Sequence, residues 1–343
     1  MELEQKCLRM GSVMIVFAIL LRLLSGGVLG AVVQQPQVLS LLLLMETGRW
    51  VRPMEENSGQ KEPIQATQPS QPTQPGPDIP PIPPDTEDPV KVVFGREDGA
   101  LIQVHNASGC DVDVQTLLQM PLSWDLTQGG PAVLIVHSHS SESYTKTEDY
   151  QETDPYRTLD IQYNMISVGE RIAQVLEAGG VQVLHDKSLH DYPSYNNAYN
   201  ESRTSIAAYL DKYPSIRMVL DIHRDAVERA DGTQIGYTVD MDGQKSAQLM
   251  MVVGTDAGGL THPNWRENMA LALKLYVQME KIVPGICRPI SFRNQRFNQD
   301  MSAGAMLIEV GAAGNTRQEA LLAAEQLALG ILSLAYGAEG EIY

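Results

Sequence analysis

From residue 90 onward the chain alternates short apolar runs with stretches of helical spacing. Residues 91–94 and 101–104 read as short entry strands, and 132–137 as a central strand. Residues 165–178 carry apolar side chains at helical intervals and stop at Gly179-Gly180, a C-terminal glycine signal. A strand at 181–184, a helix at 204–213 and a strand at 218–222 follow, with strand-like runs at 234–239 and 249–253. Residues 265–281 are helical, with Pro284 beyond their end, 305–310 form a strand, and 316–334 a long final helix. That helix opens on Thr316-Arg317-Gln318-Glu319, the spacing of a capping box. Strands alternating with helices predict an α/β layered fold with a largely parallel central sheet flanked by helices.

The N-terminal part is built differently. Residues 12–33 are almost wholly apolar, and as a helix they would span about 33 Å, enough for a bilayer core of about 30 Å. Arg22 opposes this at a cost of about 2.5–3.5 kcal/mol, which the surrounding leucines, isoleucines and valines outweigh. A cleaved signal peptide, cut near Ser25-Gly26-Gly27 or Gly30-Ala31, is the alternative, and either reading exports the rest. Basic residues flank the span on both sides, so charge does not decide its orientation. A second apolar run at 38–45 is too short to cross. Residues 63–89, rich in Pro, Gln, Thr and Asp, cannot bury a core and read as an extended tether. The expected organisation is a cytoplasmic stub, anchor and juxtamembrane segment over 1–53, a disordered Pro/Gln-rich linker over 54–89, and a catalytic domain over 90–343 with its core at about 131–336.

Charge narrows the partners. The net charge is −17, of which residues 1–89 hold −4 and the remainder −13. Nucleic acid demands a basic surplus, so no nucleic-acid partner is expected. Aromatic residues make up 6%, and Trp124 and Trp265 stand isolated, which disfavours a purely glycan-binding module. The three cysteines, Cys7, Cys110 and Cys287, form no framework, and a Cys110–Cys287 bridge is the one pairing the domain would allow.

The candidate chemistry lies where the central strand ends, at Val136-His137-Ser138-His139-Ser140-Ser141-Glu142. His139 and Glu142 form an H-x-x-E pair, and His223 ends the strand at 218–222. Two imidazoles and a carboxylate with a position left open for water are a hydrolytic zinc donor set. His137 is the alternative ligand, although the spacing to Glu142 favours His139. The other four histidines are read as structural. In open α/β sheets, ligands gather at strand carboxyl ends, where His139, His223 and Glu309 all fall.

The order H-x-x-E, distal His and late Glu resembles metallocarboxypeptidases and zinc-dependent N-acetylmuramoyl-L-alanine amidases. The stretches His137–Tyr144, Asp221-Ile222-His223-Arg224-Asp225-Ala226 and Leu307-Ile308-Glu309-Val310-Gly311, with Asn315-Thr316, are similar to the stage II sporulation protein P family over roughly residues 90–336. That resemblance implies a cell-wall amidase-like fold, bound Zn2+, and removal of stem peptides from glycan strands with cutting of peptide cross-links during engulfment. It implies a single-pass protein of the mother-cell membrane at the sporulation septum, with its catalytic domain outside the cytoplasm. Peptidoglycan is the implied substrate, and stage II sporulation proteins D and M are the implied partners. Amidase relatives take their Glu ligand from the helix after the first strand, which makes Glu170 the fallback for Glu142. Glu309 is expected as general base and then proton donor. Asp225 is expected to orient a ligand imidazole, Arg224 to hold a substrate carboxylate or a structural salt bridge, and Asn315 to touch the stem peptide or cap the last helix. A carboxypeptidase-like peptidase and a noncatalytic wall-binding module are the alternatives.

Overall fold

The structure is a computed structural model that describes residues 90–93, 101–122 and 125–336. The expected anchor at 12–33, the run at 38–45 and the linker at 54–89 lie outside the described residues, as does Trp124.

Eight strands form one sheet: β1 (Val90–Val93), β2 (Leu101–Asn106), β3 (Val133–Val136), β4 (Val183–His185), β5 (Met218–Asp225), β8 (Leu249–Val253), β9 (Ile290–Phe292) and β10 (Ala305–Ala312). Their spatial order is β1-β2-β9-β8-β10-β5-β3-β4. Five of the seven neighbouring pairs are parallel, so the sheet is largely parallel as expected. The exceptions are β1 against β2 and β8 against β10. Every residue of β3, β5, β8 and β10 is buried, the mark of strands covered on both faces.

Among the described residues five α-helices accompany the sheet: α1 (Val114–Gln119), α2 (Met165–Ala178), α3 (Ala198–Lys212), α4 (Trp265–Ile282) and α5 (Arg317–Tyr336). Strand alternation sorts them. Leu134 and Val136 of β3 and Val219 of β5 pack against Ile206 of α3. His137 turns the other way, against Gly169 of α2. Helix α2 is tied to α5 by Arg171–Glu325 at 2.7 Å, and Gly330 of α5 lies against Met279 and Leu275 of α4. So α3 covers one face of the sheet, and α2, α4 and α5 the other.

Several expectations shift. Helix α3 starts at Ala198, six residues before its expected onset. The run at 234–239 is not a sheet strand. Only Thr238–Met241 pairs (β6), with Gln244–Ala247 (β7), in a separate hairpin. Its turn is Asp242-Gly243, both at positive φ, as a two-residue hairpin loop requires. The residues before it are held by a side chain: Asn315 bonds both the N–H and the C=O of Tyr237, at 3.1 and 3.0 Å. Cys110 and Cys287 are free thiols, so the conceivable bridge is not formed. The capping box is present. Thr316 N donates to Glu319 Oε2 at 3.0 Å, and Glu319 N to Thr316 Oγ1 at 3.2 Å. Helix α5 is long and apolar enough to cross a membrane by composition, but half of its most apolar stretch is buried in the fold.

A Cβ at Gly169 would lie 2.6 Å from His137 Nε2 and 2.7 Å from His185 Nε2. Alanine gains about 1 kcal/mol over glycine inside a helix, yet Gly169→Ala is expected to lower stability, because that contact opposes the gain by about 1–3 kcal/mol of overpacking. Urea denaturation checks it, and a more stable variant would show that the imidazole pair moves freely.

Candidate metal centre

The centre is assembled where β3, β5 and β10 lie side by side. Glu309 of β10 is directly in register with His223 of β5. Asp221, His223 and Glu309 share the α3-facing side of the sheet by the period-two alternation, together with Val219 and Leu307. His139 and Glu142 come from the loop after β3.

One donor atom from each of His139, Glu142 and His223 lies within 4.8 Å of the others. His139 Nδ1 is 3.7 Å from Glu142 Oε1, and His223 Nδ1 is 3.8 Å from Glu142 Oε2. The donor set and spacing fit a zinc ion. Burial pushes His139 down to about 3, which leaves it neutral and able to ligate. Burial would raise Glu142, but Arg224 first, with His223 and Arg157, outweighs it and holds the carboxyl below its ordinary range. Burial would lower His223 as well. Asp221 outweighs it, with help from Glu142 and Glu309, and raises the imidazole to about 9.

His137 does not join the cluster. Its Nδ1 is 3.0 Å from the carbonyl of Ile222, and its Nε2 is 2.9 Å from His185 Nε2. It lies under α2, and the parity of the strand accounts for this. Glu170 is not at the cluster either. Its carboxylate meets Lys187 at 2.6 Å and His185 at 3.4 Å.

Glu309 is buried, and its Oε2 has no hydrogen-bond partner. Burial, with Asp225 and Glu142 nearby, pushes it up to about 8, against His223 and Arg288. Around Glu309 runs a cleft of about 430 Å³ that also takes in His139, Glu142, His223 and Arg157. Pro155, Tyr156 and Arg157 wall it.

Of its two expected roles Arg224 takes the structural salt bridge, and Asp225 and Asn315 do different work from that expected. Arg224 donates to the carbonyls of Ser143 (2.9 Å) and Tyr156 (3.0 Å) and lies 3.6 Å from Glu142, so it clamps the loop and has no free fork for substrate. Asp225 faces Arg288 at 2.7 Å, away from the imidazoles. Asn315 is fully buried, with its amide committed to Ala312, Tyr237 and Glu319, which leaves it no free group for a stem peptide.

The carboxylate beside an imidazole is Asp221. Its Oδ1 lies 2.9 Å from His223 Nε2, off the line of a hydrogen bond. It also accepts from Ser138 N at 2.8 Å and Ser138 Oγ at 2.6 Å. Asp221 thus joins the loop bearing His139 to the strand bearing His223. Position alone could have found it, two residues before His223 on the same face. Nothing local marks Tyr195, whose ring stacks on His139 at 4.4 Å, with the Arg157 guanidinium 4.4 Å from the ring centre. Tyr199 closes the other side, edge-on to His139 at 5.5 Å. Asp191, which accepts from Ser141 N, Ser141 Oγ and Arg157, holds the loop from below.

Fold and centre define an α/β protein with a two-histidine, one-glutamate cluster at the ends of adjacent strands. The family model of Stage II sporulation protein P (SpoIIP) matches residues 52–331, and the chain belongs to that family. It is 29% identical over 211 residues to Stage II sporulation protein P of Bacillus subtilis (strain 168), a match covering 57% of this chain and about half, 49%, of that relative. Solved structures give slighter likenesses. N-acetylmuramoyl-L-alanine amidase AmiC2 of Nostoc punctiforme is 16% identical at a TM-score of 0.35, covering 60% of this chain and 98% of its own. N-acetylmuramyl-L-alanine amidase Ami1 of Mycobacterium smegmatis is 11% identical at a TM-score of 0.38, covering 63% of this chain and 100% of its own.

Two outcomes are expected. Asp221→Asn should weaken zinc binding by about 10–100-fold in a chelator competition, the usual effect of losing a carboxylate behind a ligand imidazole. In the metal-free protein, the raised Glu309 carboxyl contributes stability that is fully present below about 4.5 and is lost as pH rises through about 8. Glu309→Gln should lack that loss, so its thermal midpoint should gain on the wild type across this window. Parallel pH curves would remove the buried, protonated Glu309.

Proposed function

We propose that the protein is a zinc-dependent peptidoglycan hydrolase, an N-acetylmuramoyl-L-alanine amidase with peptide cross-link cleavage as a second activity, acting in sporulation. The observation that carries this reading is Glu309. A buried carboxyl with a free oxygen stands in register with His223, beside a three-donor cluster.

His139, Glu142 and His223 would hold the metal. Bound there, zinc supplies a Lewis acid for the scissile carbonyl and brings its water near neutral pKa. Burial and its acidic neighbours raise Glu309 in the metal-free site; a dication bound beside it would draw the carboxyl back towards the ionised form that a general base needs. In that form it would take a proton from the attacking water and return it to the leaving amine. Arg157 and Arg224 keep Glu142 ionised, Asp221 fixes His223, and Tyr195 shields His139.

A carboxypeptidase would need a cation for its substrate's terminal carboxylate. Arg224 is locked onto backbone carbonyls, and Arg157 is paired with Asp191 at 3.1 Å. This supports an enzyme acting within a polymer. The resemblance adds a place for that action: a single-pass membrane protein with its domain outside the cytoplasm, working at the sporulation septum with stage II sporulation proteins D and M.

Full-length protein incubated with purified peptidoglycan should release free stem peptides and leave bare lactyl groups, and a chelator should abolish both, as read by mass spectrometry. Glu309→Gln should retain zinc and fold while losing about 10²–10⁴ in turnover. New peptide termini alone would make the enzyme a peptidase, and persistent binding to the wall without any product would make it a binding module.

A further inference from the structure

The carboxylate behind His223 is one end of a longer chain of hydrogen bonds. Asp221 Oδ2 accepts from Ser138 Oγ at 2.6 Å, and Ser138 Oγ lies 2.6 Å from Ser202 Oγ of α3. Ser202 Oγ accepts from Asn298 Nδ2 at 3.2 Å, and Asn298 Oδ1 accepts from Arg203 Nη1 at 3.3 Å. The same guanidinium donates to Asp300 at 2.7 Å. Ser138, Ser202 and Asn298 are all buried, so bulk water cannot replace a lost partner.

The order of protons along this chain is fixed from both ends. Beside His223, Asp221 is a carboxylate and can only accept, so Ser138 donates to it and accepts from Ser202. Arg203 can only donate, so the oxygen of the Asn298 amide faces it and the NH2 faces Ser202. Ser202 also lies 3.3 Å from the carbonyl of Tyr199, but the 2.6 Å contact to Ser138 is much the shorter and takes its hydrogen. Every link therefore points the same way, from guanidinium to carboxylate, and such links polarise one another.

The backbone is bent to supply the amide. Phe297 and Asn298 both adopt left-handed φ, 50° and 57°, although neither is glycine and a bulky side chain is disfavoured there. Asn298 precedes the short helix Gln299–Met301, but its side chain does not cap it. Instead Nδ2 reaches across to α3, donating to the carbonyl of Tyr199 at 2.8 Å as well as to Ser202. Strain at a residue whose side chain serves no local cap points to work done elsewhere. At the far end of the chain, Asp221 lies on the Nε2 side of His223. That leaves Nδ1, the nitrogen facing Glu142, with its lone pair.

We propose that Ser202 and Asn298 are positioning residues for the metal centre: through Ser138 they hold the Asp221 carboxylate, and thereby His223, in the orientation that offers Nδ1 to the metal. Their own hydrogen bonds end on Ser138, Tyr199 and Arg203, so they act on the donors only through Asp221. This rests on the metal-binding part of the reading above and extends the centre into α3 and the turn before Gln299.

The test measures the zinc affinity of the full-length protein by chelator competition. Alanine suits the interior of α3 and glycine accepts left-handed backbone, so Ser202→Ala and Asn298→Gly should both fold. Each is expected to bind zinc about tenfold more weakly, the lower end of what lost support behind a ligand costs. In an Asp221→Asn background neither change should weaken binding further, because the chain then has no carboxylate to hold. Folded single variants that bind zinc as the wild type does would overturn the positioning role and leave the metal centre standing. So would losses that multiply with that of Asp221→Asn, since the two residues would then act by another route. A wild type that binds no zinc would remove the centre and the proposal together.

Discussion

The pairing register between β5 and β10 is the constraint on which the centre depends. Glu309 opposes His223, and the pleat sends both side chains, with Asp221, to the face that α3 covers. A slip of one residue would turn Glu309 to the other face, among α2, α4 and α5. Parity alone would put His139 on the same side as His137; the chain leaves β3 at Val136 and so separates them. One goes under α2, while the other, beyond the strand, swings back over the cluster. The positive-φ Gly311 sits just past Glu309 and is crowded by Asn315, so the end of β10 is set by its own turn.

Charge is handled with equal economy. Four carboxylates, Glu142, Asp221, Asp225 and Glu309, are buried close together. Each of the first three has a cationic neighbour: Glu142 has Arg157 and Arg224, Asp221 has His223, and Asp225 has Arg288. Glu309 is left to meet its burial by holding a proton. Its chemistry follows from the pairing of the others, since a fourth arginine at that point would fix it as a carboxylate.

The sequence carried the α/β alternation, the long helices and the order of the donors, because apolar periodicity and strand-end histidines are local signals. It did not carry the antiparallel insertion of β8 between β9 and β10, since Leu249–Val253 reads as a buried strand in either direction. Strand β9, three residues after Pro289, is too short for periodicity to register. The hairpin had its Asp-Gly turn, but its second strand, Gln-Lys-Ser-Ala, lacks the alternation that would mark it. Within the centre, the roles expected of Asp225 and Asn315 rested on adjacency in sequence, whereas each side chain is used by a distant partner. Tyr195 meets His139 from a segment far along the chain, and Arg157 meets Tyr195 in turn, which no spacing rule connects.

The donors are also spread along the chain in a telling way. His139 and Glu142 are made early, His223 some 80 residues later, and Glu309 near the end. Asp221, which steadies Ser138, and Asp191, which holds Ser141, arrive in between. A chain still being synthesised therefore has its three donors once His223 is made, but gains Glu309 only when most of it has emerged. A fragment clipped anywhere before β10 lacks Glu309. For a protein whose proposed chemistry is to cut the wall around its own cell, this spacing leaves every form that stops short of β10 without Glu309.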